Sequence, residues 1–196
     1  MRLVSAHRSQ SDHRPRVPGM TIREALPVVL GGIDEAYQRL HARLQGLTTD
    51  EYRWEPVPGC WSVHEQDGNW EVTHGRQQPD PDPAPVTTIA WRLWHIASDC
   101  LASYVSPGLG PWPLEVEGRG WYGKAEPAVA ALEQAFTAFR ERIAGLGEDG
   151  AWQPLGPDWG PFGDEPWLAL AVHAHDELSH HGAEVALLRD LYRARS

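Results

Sequence analysis

The stretch HAHDELSHHGAEVALLR, from His173 to Arg189, sets several ionisable side chains on one face of a predicted helix. At about 100° of rotation per residue, His173 and His181 lie about 40° to either side of Glu177, and Glu184 lies about 20° from it. Leucines continue the same face at Leu170, Leu188 and Leu191. A buried carboxylate is costly unless it is paired or bound to a cation, so this face requires a partner.

The rise of an α-helix limits which of these side chains can share one ion. His173 and His181 are eight residues apart, or about 12 Å along the axis, whereas residues at i and i+4 are neighbours. Two pairs therefore stay open, Glu177 with His181 and His173 with Glu177. A site with three protein ligands needs one more from another helix, and the best donor elsewhere in the chain is His95.

Simpler interpretations of the same residues compete with a metal site. Glu177 and His181 could belong to a buried salt bridge with Arg140 or Arg142. A regular α-helix would place His95 on a polar stripe with Arg92 and Asp99, as on a solvent-exposed face. The residues placed on the opposite side are Ile89, Leu93, Ile96, Cys100 and Tyr104. In this interpretation Cys100 is a small core residue.

The elements that must position these residues are four amphipathic helices joined by long connections. The first extends from Thr21, with Thr21 as N-cap and Glu24 completing a capping box. The predicted helices cover 21–47, 86–105 and 126–147, and the last begins near Glu165 and Pro166. Connections rich in Trp, Pro and Gly lie at 47–85 and 108–125. We expect them to form the walls of a substrate-binding pocket. This order predicts an all-α fold, a four-helix bundle.

Length and charge narrow the class of protein. At 196 residues the chain suits one domain over residues 20–196, preceded by a disordered lead at 1–19. A formal net charge of −10 argues against a nucleic-acid partner, and no apolar run is long enough to span a membrane. Two cysteines without a signal-peptide pattern predict a reduced, cytoplasmic protein.

Two segments, TTIAWRLWHIA and HAHDELSHHGAEVALLRDL, resemble the DinB-like (YfiT-like) superfamily of four-helix bundles. The nearest branch contains mycothiol-dependent maleylpyruvate isomerase. Its members carry one histidine on the second helix and a Glu and His pair, spaced i, i+4, on the last. The resemblance implies a metal site at His95, Glu177 and His181, and, by analogy with the family, a homodimer.

Such a site would leave positions open for substrate on a divalent ion, with zinc favoured over nickel, iron or manganese. Asp99 and His180 could orient the ligands, and Arg92 could hold a substrate carboxylate. The sequence leaves open whether Glu184 or His173 joins the site.

The leading hypothesis is a transferase or isomerase that uses a low-molecular-weight thiol on a small electrophilic substrate. Because arginine almost replaces lysine, as in GC-rich genomes, mycothiol is the favoured thiol. The alternatives are a non-catalytic metal-binding or stress-response bundle and a metal-assisted hydrolase.

Overall fold

The computed structural model describes residues 25–73, 83–105 and 120–195. Its longer helices are α1 (Ala25–Leu44), α5 (Ala125–Gly145) and α7 (Trp167–Ala194), with a composite helix over 89–105. Shorter ones are α2 (Thr49–Arg53), α6 (Gly147–Ala151) and a 3-10 helix (Pro157–Phe162). The predicted lead at 1–19 and the capping box of Thr21 and Glu24 lie outside the described residues. Within the described ranges, no helix is both long and apolar enough to cross a bilayer.

The four long segments pack as the predicted all-α bundle. Helix α1 runs parallel to α7, since Leu40 lies against Gly182 and Arg43 donates to the carbonyl of Ala186. Helix α5 packs against the composite helix, and fully buried apolar side chains fill the space between the helices. These side chains include Ile33, Leu40, Leu93, Ile96, Leu101, Leu132, Phe139, Ile143 and Leu178. Amphipathic periodicity thus predicted the bundle correctly.

The composite helix differs from the single α-helix predicted over 86–105. It consists of α3 (Ile89–Trp94), a π-helix (His95–Ala102) and α4 (Ser103–Val105). Thr88 caps its start, because its hydroxyl accepts the backbone N–H of Trp91. Where the π-helix returns to α geometry, the Ser103 hydroxyl donates to the carbonyls of Asp99 and Cys100. The resulting i, i+5 spacing changes which side chains share a face.

The connection after α2 contains a two-stranded antiparallel hairpin, β1 (Val63–Gln66) and β2 (Asn69–Val72). Asp67 and Gly68 form its two-residue turn, and both have positive φ, as a type I′ turn requires. The Trp70 ring lies so close to Gly123 that a Cβ at that position would be 1.9 Å from it. The hairpin is therefore packed against the segment just before α5, and the carbonyl of Thr73, directly after β2, accepts the indole N–H of Trp91.

Candidate metal centre

His95, Glu177 and His181 come together between the π-helix and α7. The Nε2 atom of His95 lies 3.1 Å from Glu177 Oε2, and His181 Nε2 lies 3.0 Å from the same oxygen. The two imidazole rings meet edge to face, with centroids 4.8 Å apart. All three side chains are largely buried, with 10 to 19% of each exposed. The Nε2 atoms of both imidazoles thus contact the same oxygen of Glu177.

Each imidazole also contacts a second carboxylate through Nδ1, the ring nitrogen that does not contact Glu177. Asp99 Oδ2 lies 3.2 Å from His95 Nδ1, and Glu184 Oε2 lies 2.7 Å from His181 Nδ1. A carboxylate on Nδ1 leaves the proton there and directs the Nε2 lone pair forward. Asp99 therefore occupies the orienting position proposed from the sequence, and Glu184 has the same relation to His181.

Arg92 lies behind Glu184. Its Nε atom is 2.8 Å from Glu184 Oε2, and its Nη2 atom donates to Oε1 at 3.1 Å. The sequence suggested that the Arg92 guanidinium could hold a substrate carboxylate. In the structure it is paired with Glu184. His180 lies 3.4 Å from Glu184 Oε1 and stacks on the His181 ring. Both residues help to fix Glu184 and His181 on α7.

The sequence-based placement of Cys100 and Tyr104 opposite His95 is wrong. Cys100 Sγ lies 3.6 Å from both His95 Nε2 and Glu177 Oε2. The reason is the π-helix, in which residues five apart fall on the same side. Tyr104 also faces the centre, because its ring lies 5.9 Å from that of His173. Reasoning from an α-helical period could not have detected either contact.

The proposed salt bridge to Arg140 or Arg142 does not form. Arg140 instead makes a bidentate pair with Asp34 of α1, at 3.0 and 2.9 Å. The Arg142 guanidinium lies over the ring of Trp167. Neither arginine neutralises Glu177, so the described neighbours that bond to its carboxylate are histidines and Cys100.

The protonation of the centre follows from these contacts. Hydrogen bonds from His181 and His95 lower the pKa of Glu177 strongly. Burial alone would lower the pKa of His95, but bonds to Asp99, Cys100 and Glu177 outweigh it and raise the pKa to about 11. Burial raises the pKa of the Cys100 thiol. Without a cation, the centre therefore holds an ionised Glu177 beside a protonated His95.

An apolar cavity of about 490 Å³ adjoins the centre. Its residues are Tyr104, Leu155, Trp159, Phe162, Glu165, Ala169, Leu170 and His173. His173 connects the cavity to the centre, because its Nε2 atom lies 3.6 Å from Glu177 Oε1. Apart from Tyr104, the wall comes from α7 and the segment before it, and no described residue of 47–85 lines this cavity. The predicted connection lines a different cavity, of about 470 Å³, where Pro56, Val57, Ala84 and Pro85 lie with Arg92 and Glu184. Most of 108–125 lies outside the described residues.

The arrangement fits a divalent cation by charge and by spacing. Among the described side chains of the centre, when the imidazoles are neutral, the carboxylates of Asp99, Glu177 and Glu184 exceed the guanidinium of Arg92 by two negative charges. Glu177 Oε2 lies 3.1 Å from His95 Nε2 and 3.0 Å from His181 Nε2, close to the separation of two donor atoms that share one ion. Within the described residues, two groups could hold a metal ion: His95 with Cys100 and Glu177, and His180 with His181 and Glu184. The two groups are connected by the contact of Glu177 Oε2, in the first, with His181 Nε2, in the second.

Comparison with known proteins identifies the family. A family model described as the DinB superfamily matches residues 33–185, well over half of the chain. No curated protein and no solved structure gives a significant match. The matched range contains His95, Glu177 and His181, the residues on which the resemblance was based. The chain belongs to the DinB superfamily.

Proposed function

We propose that this protein is a divalent-metal-dependent enzyme that uses a low-molecular-weight thiol to transfer or isomerise a small electrophilic substrate. His95, Glu177 and His181 hold the ion, with zinc the favoured metal. The observation that carries the proposal is the convergence of both Nε2 atoms on Glu177, with a carboxylate behind each imidazole. Assignment to the mycothiol-dependent branch is part of this proposal.

The cavity beside His173 supplies the substrate site. Aromatic and aliphatic side chains form most of its wall, and its titratable lining residues are Tyr104, Glu165 and His173. No arginine or lysine of the described part of the chain lines it, and Arg92 is engaged by Glu184. A cavity of this composition favours an uncharged, apolar electrophile over a dicarboxylate.

When bound, the ion supplies a Lewis-acidic positive charge that favours the thiolate form of a thiol. The exposed imidazole of His173, at the border of centre and cavity, accepts the thiol proton. The thiolate sulfur forms a bond to the electrophilic carbon in the cavity. In transfer, the leaving group departs with its electron pair. In isomerisation, the thiolate adds to a double bond, the carbon skeleton rotates, and the thiolate leaves again.

Elemental analysis of untagged protein purified without chelator tests the metal site. Wild type should contain about one ion per chain, and His95→Ala and His181→Ala should lose it. His64→Ala, on the exposed face of β1, is the matched control and should retain it. If the wild type holds no metal after reconstitution with zinc, nickel and manganese, the proposal is wrong.

Product formation with and without added thiol tests the reaction. The metal-loaded wild type should convert an uncharged electrophile only when thiol is present. Turnover without thiol would favour metal-assisted hydrolysis instead. Glu177→Gln separates catalysis from a non-catalytic role: the enzyme proposal predicts a folded variant with weak metal binding, and a stabilising site predicts a sharp loss of stability.

A further inference from the structure

The two buried cysteines of the described chain have different surroundings. Cys60 donates its thiol to the carbonyl of Val57 at 2.8 Å, an ordinary contact with a loop backbone. Cys100 is equally buried, but its sulfur faces His95 Nε2 and Glu177 Oε2, both at 3.6 Å. The second cysteine therefore contacts two of the three residues proposed to hold the ion.

The separation of these atoms matches a shared ion. Zinc lies about 2.3 Å from a thiolate sulfur and about 2.0–2.1 Å from an imidazole nitrogen or a carboxylate oxygen. Two such donors in a tetrahedral arrangement are about 3.5 Å apart, close to both distances measured from Cys100 Sγ. The sulfur also has a fixed position, because the π-helix places Cys100 beside His95 and the bundle core encloses it.

We infer that Cys100 is a protein ligand of the metal ion, because its sulfur forms one group of candidate donor atoms with His95 and Glu177. The inference rests on the proposed metal site and adds a donor that an α-helical period excludes. On binding, the thiol proton is released to solvent and the sulfur electron pair is donated to the ion. A soft donor favours zinc or cobalt over manganese, so the residue sets metal preference.

Cobalt(II) reconstitution of the whole chain tests the inference spectroscopically. We expect the wild type to show visible d–d bands and a near-ultraviolet band from thiolate-to-cobalt charge transfer. Cys100→Ser should retain the d–d bands and lose the charge-transfer band. Cys60→Ser, the matched control, should keep both, because Cys60 bonds to Val57 and not to the centre.

Each other outcome has a definite meaning. Wild-type d–d bands without charge transfer, or a charge-transfer band that survives in Cys100→Ser, would overturn the thiolate ligand and leave the metal site intact. Absence of any cobalt spectrum would contradict the metal site itself. Should Cys100→Ser fold poorly, X-ray absorption at the zinc edge of the wild type decides: a sulfur neighbour at about 2.3 Å is expected, and a shell of only nitrogen and oxygen would refute the inference.

Discussion

Arg189 and Glu51 form a bidentate ion pair in the interior of the bundle. The Nε and Nη2 atoms of Arg189 donate to the two carboxylate oxygens at 2.7 and 2.9 Å, and the side chains are 1% and 4% exposed. Arg189 also donates to the carbonyls of Arg43 and Gln45 at the end of α1. One guanidinium thus joins α1, α2 and α7, two turns beyond His181.

We predict that Arg189→Met destabilises the protein by about 3–5 kcal/mol, because it leaves the buried Glu51 carboxylate without its bidentate partner and with only the exposed Arg193, at 3.8 Å. Urea unfolding of the metal-free protein measures this change. The matched control is Arg39→Met, which removes the exposed pair with Glu35 and should cost less than about 1 kcal/mol. Equal losses in the two variants would contradict the prediction.

The carboxylates that contact the Nδ1 atoms of His95 and His181 should control metal affinity. We predict that Asp99→Ala lowers the affinity for zinc by about 10- to 100-fold, because His95 loses the bond that orients its ring. Competition with a chromogenic chelator measures the affinity. Asp176→Ala removes an exposed acid from α7 beside Glu177 and should change the affinity little. Similar affinities for wild type and Asp99→Ala would show that the contact has no role in metal binding.

The metal-free protein should lose stability as the pH rises through the neutral and alkaline range. The pKa of His95 is raised from 6.5 to about 11 in the folded protein, so its contribution is complete below pH 6.5 and is lost toward pH 11. The pKa of Glu177 is lowered from 4.5, so its contribution is present above that pH and is lost as the pH falls.

Thermal unfolding of chelator-treated protein should therefore show the largest contribution of the centre between about pH 4.5 and 6.5. His95→Gln should flatten the alkaline side of the profile, and His64→Gln should leave it unchanged. Metal binding should follow the opposite trend and tighten as the pH rises, because protons compete for the same donor atoms. A metal-free profile that is unaffected by His95→Gln would refute the assignment.

Filling the apolar cavity should weaken substrate binding without removing the metal. We predict that Ala169→Leu raises the KM for an uncharged apolar electrophile about tenfold or more, while metal content stays at the wild-type level. Ala186→Leu makes the same change on the same helix, at a groove between α1 and α7, and serves as the control. An unchanged KM in Ala169→Leu would place the substrate elsewhere.

Local sequence signals predicted the elements, and tertiary contacts determined the details of the centre. The apolar periodicity of α5 and the Pro166 signal before α7 predicted helix limits within a few residues of those observed. The i, i+4 spacing of Glu177 and His181, with the family resemblance, led to His95. No local signal, however, reveals that Arg92 pairs with Glu184, since the two side chains belong to different helices.

The π-helix is the main reason why the sequence interpretation was incomplete. A period of 3.6 residues across 86–105 places Cys100 and Tyr104 on the wrong side. Ser103 offered a weak indication, because a serine that bonds to carbonyls three and four residues earlier often accompanies a distorted helix. The sequence did not predict which residues line the cavity, because much of its wall comes from 155–165. The position of that segment depends on the bundle as a whole.

The π-helix also predicts how this centre would differ among relatives. A π segment commonly corresponds to one residue inserted into an α-helix. Removal of one residue between His95 and Cys100 would restore α geometry and leave the cysteine four residues after the histidine, about 40° from it on the same face. A relative could therefore lack the π-helix and still keep the sulfur in its centre. In an alignment, the mark of that arrangement would be a gap of one position, with no substitution beside it.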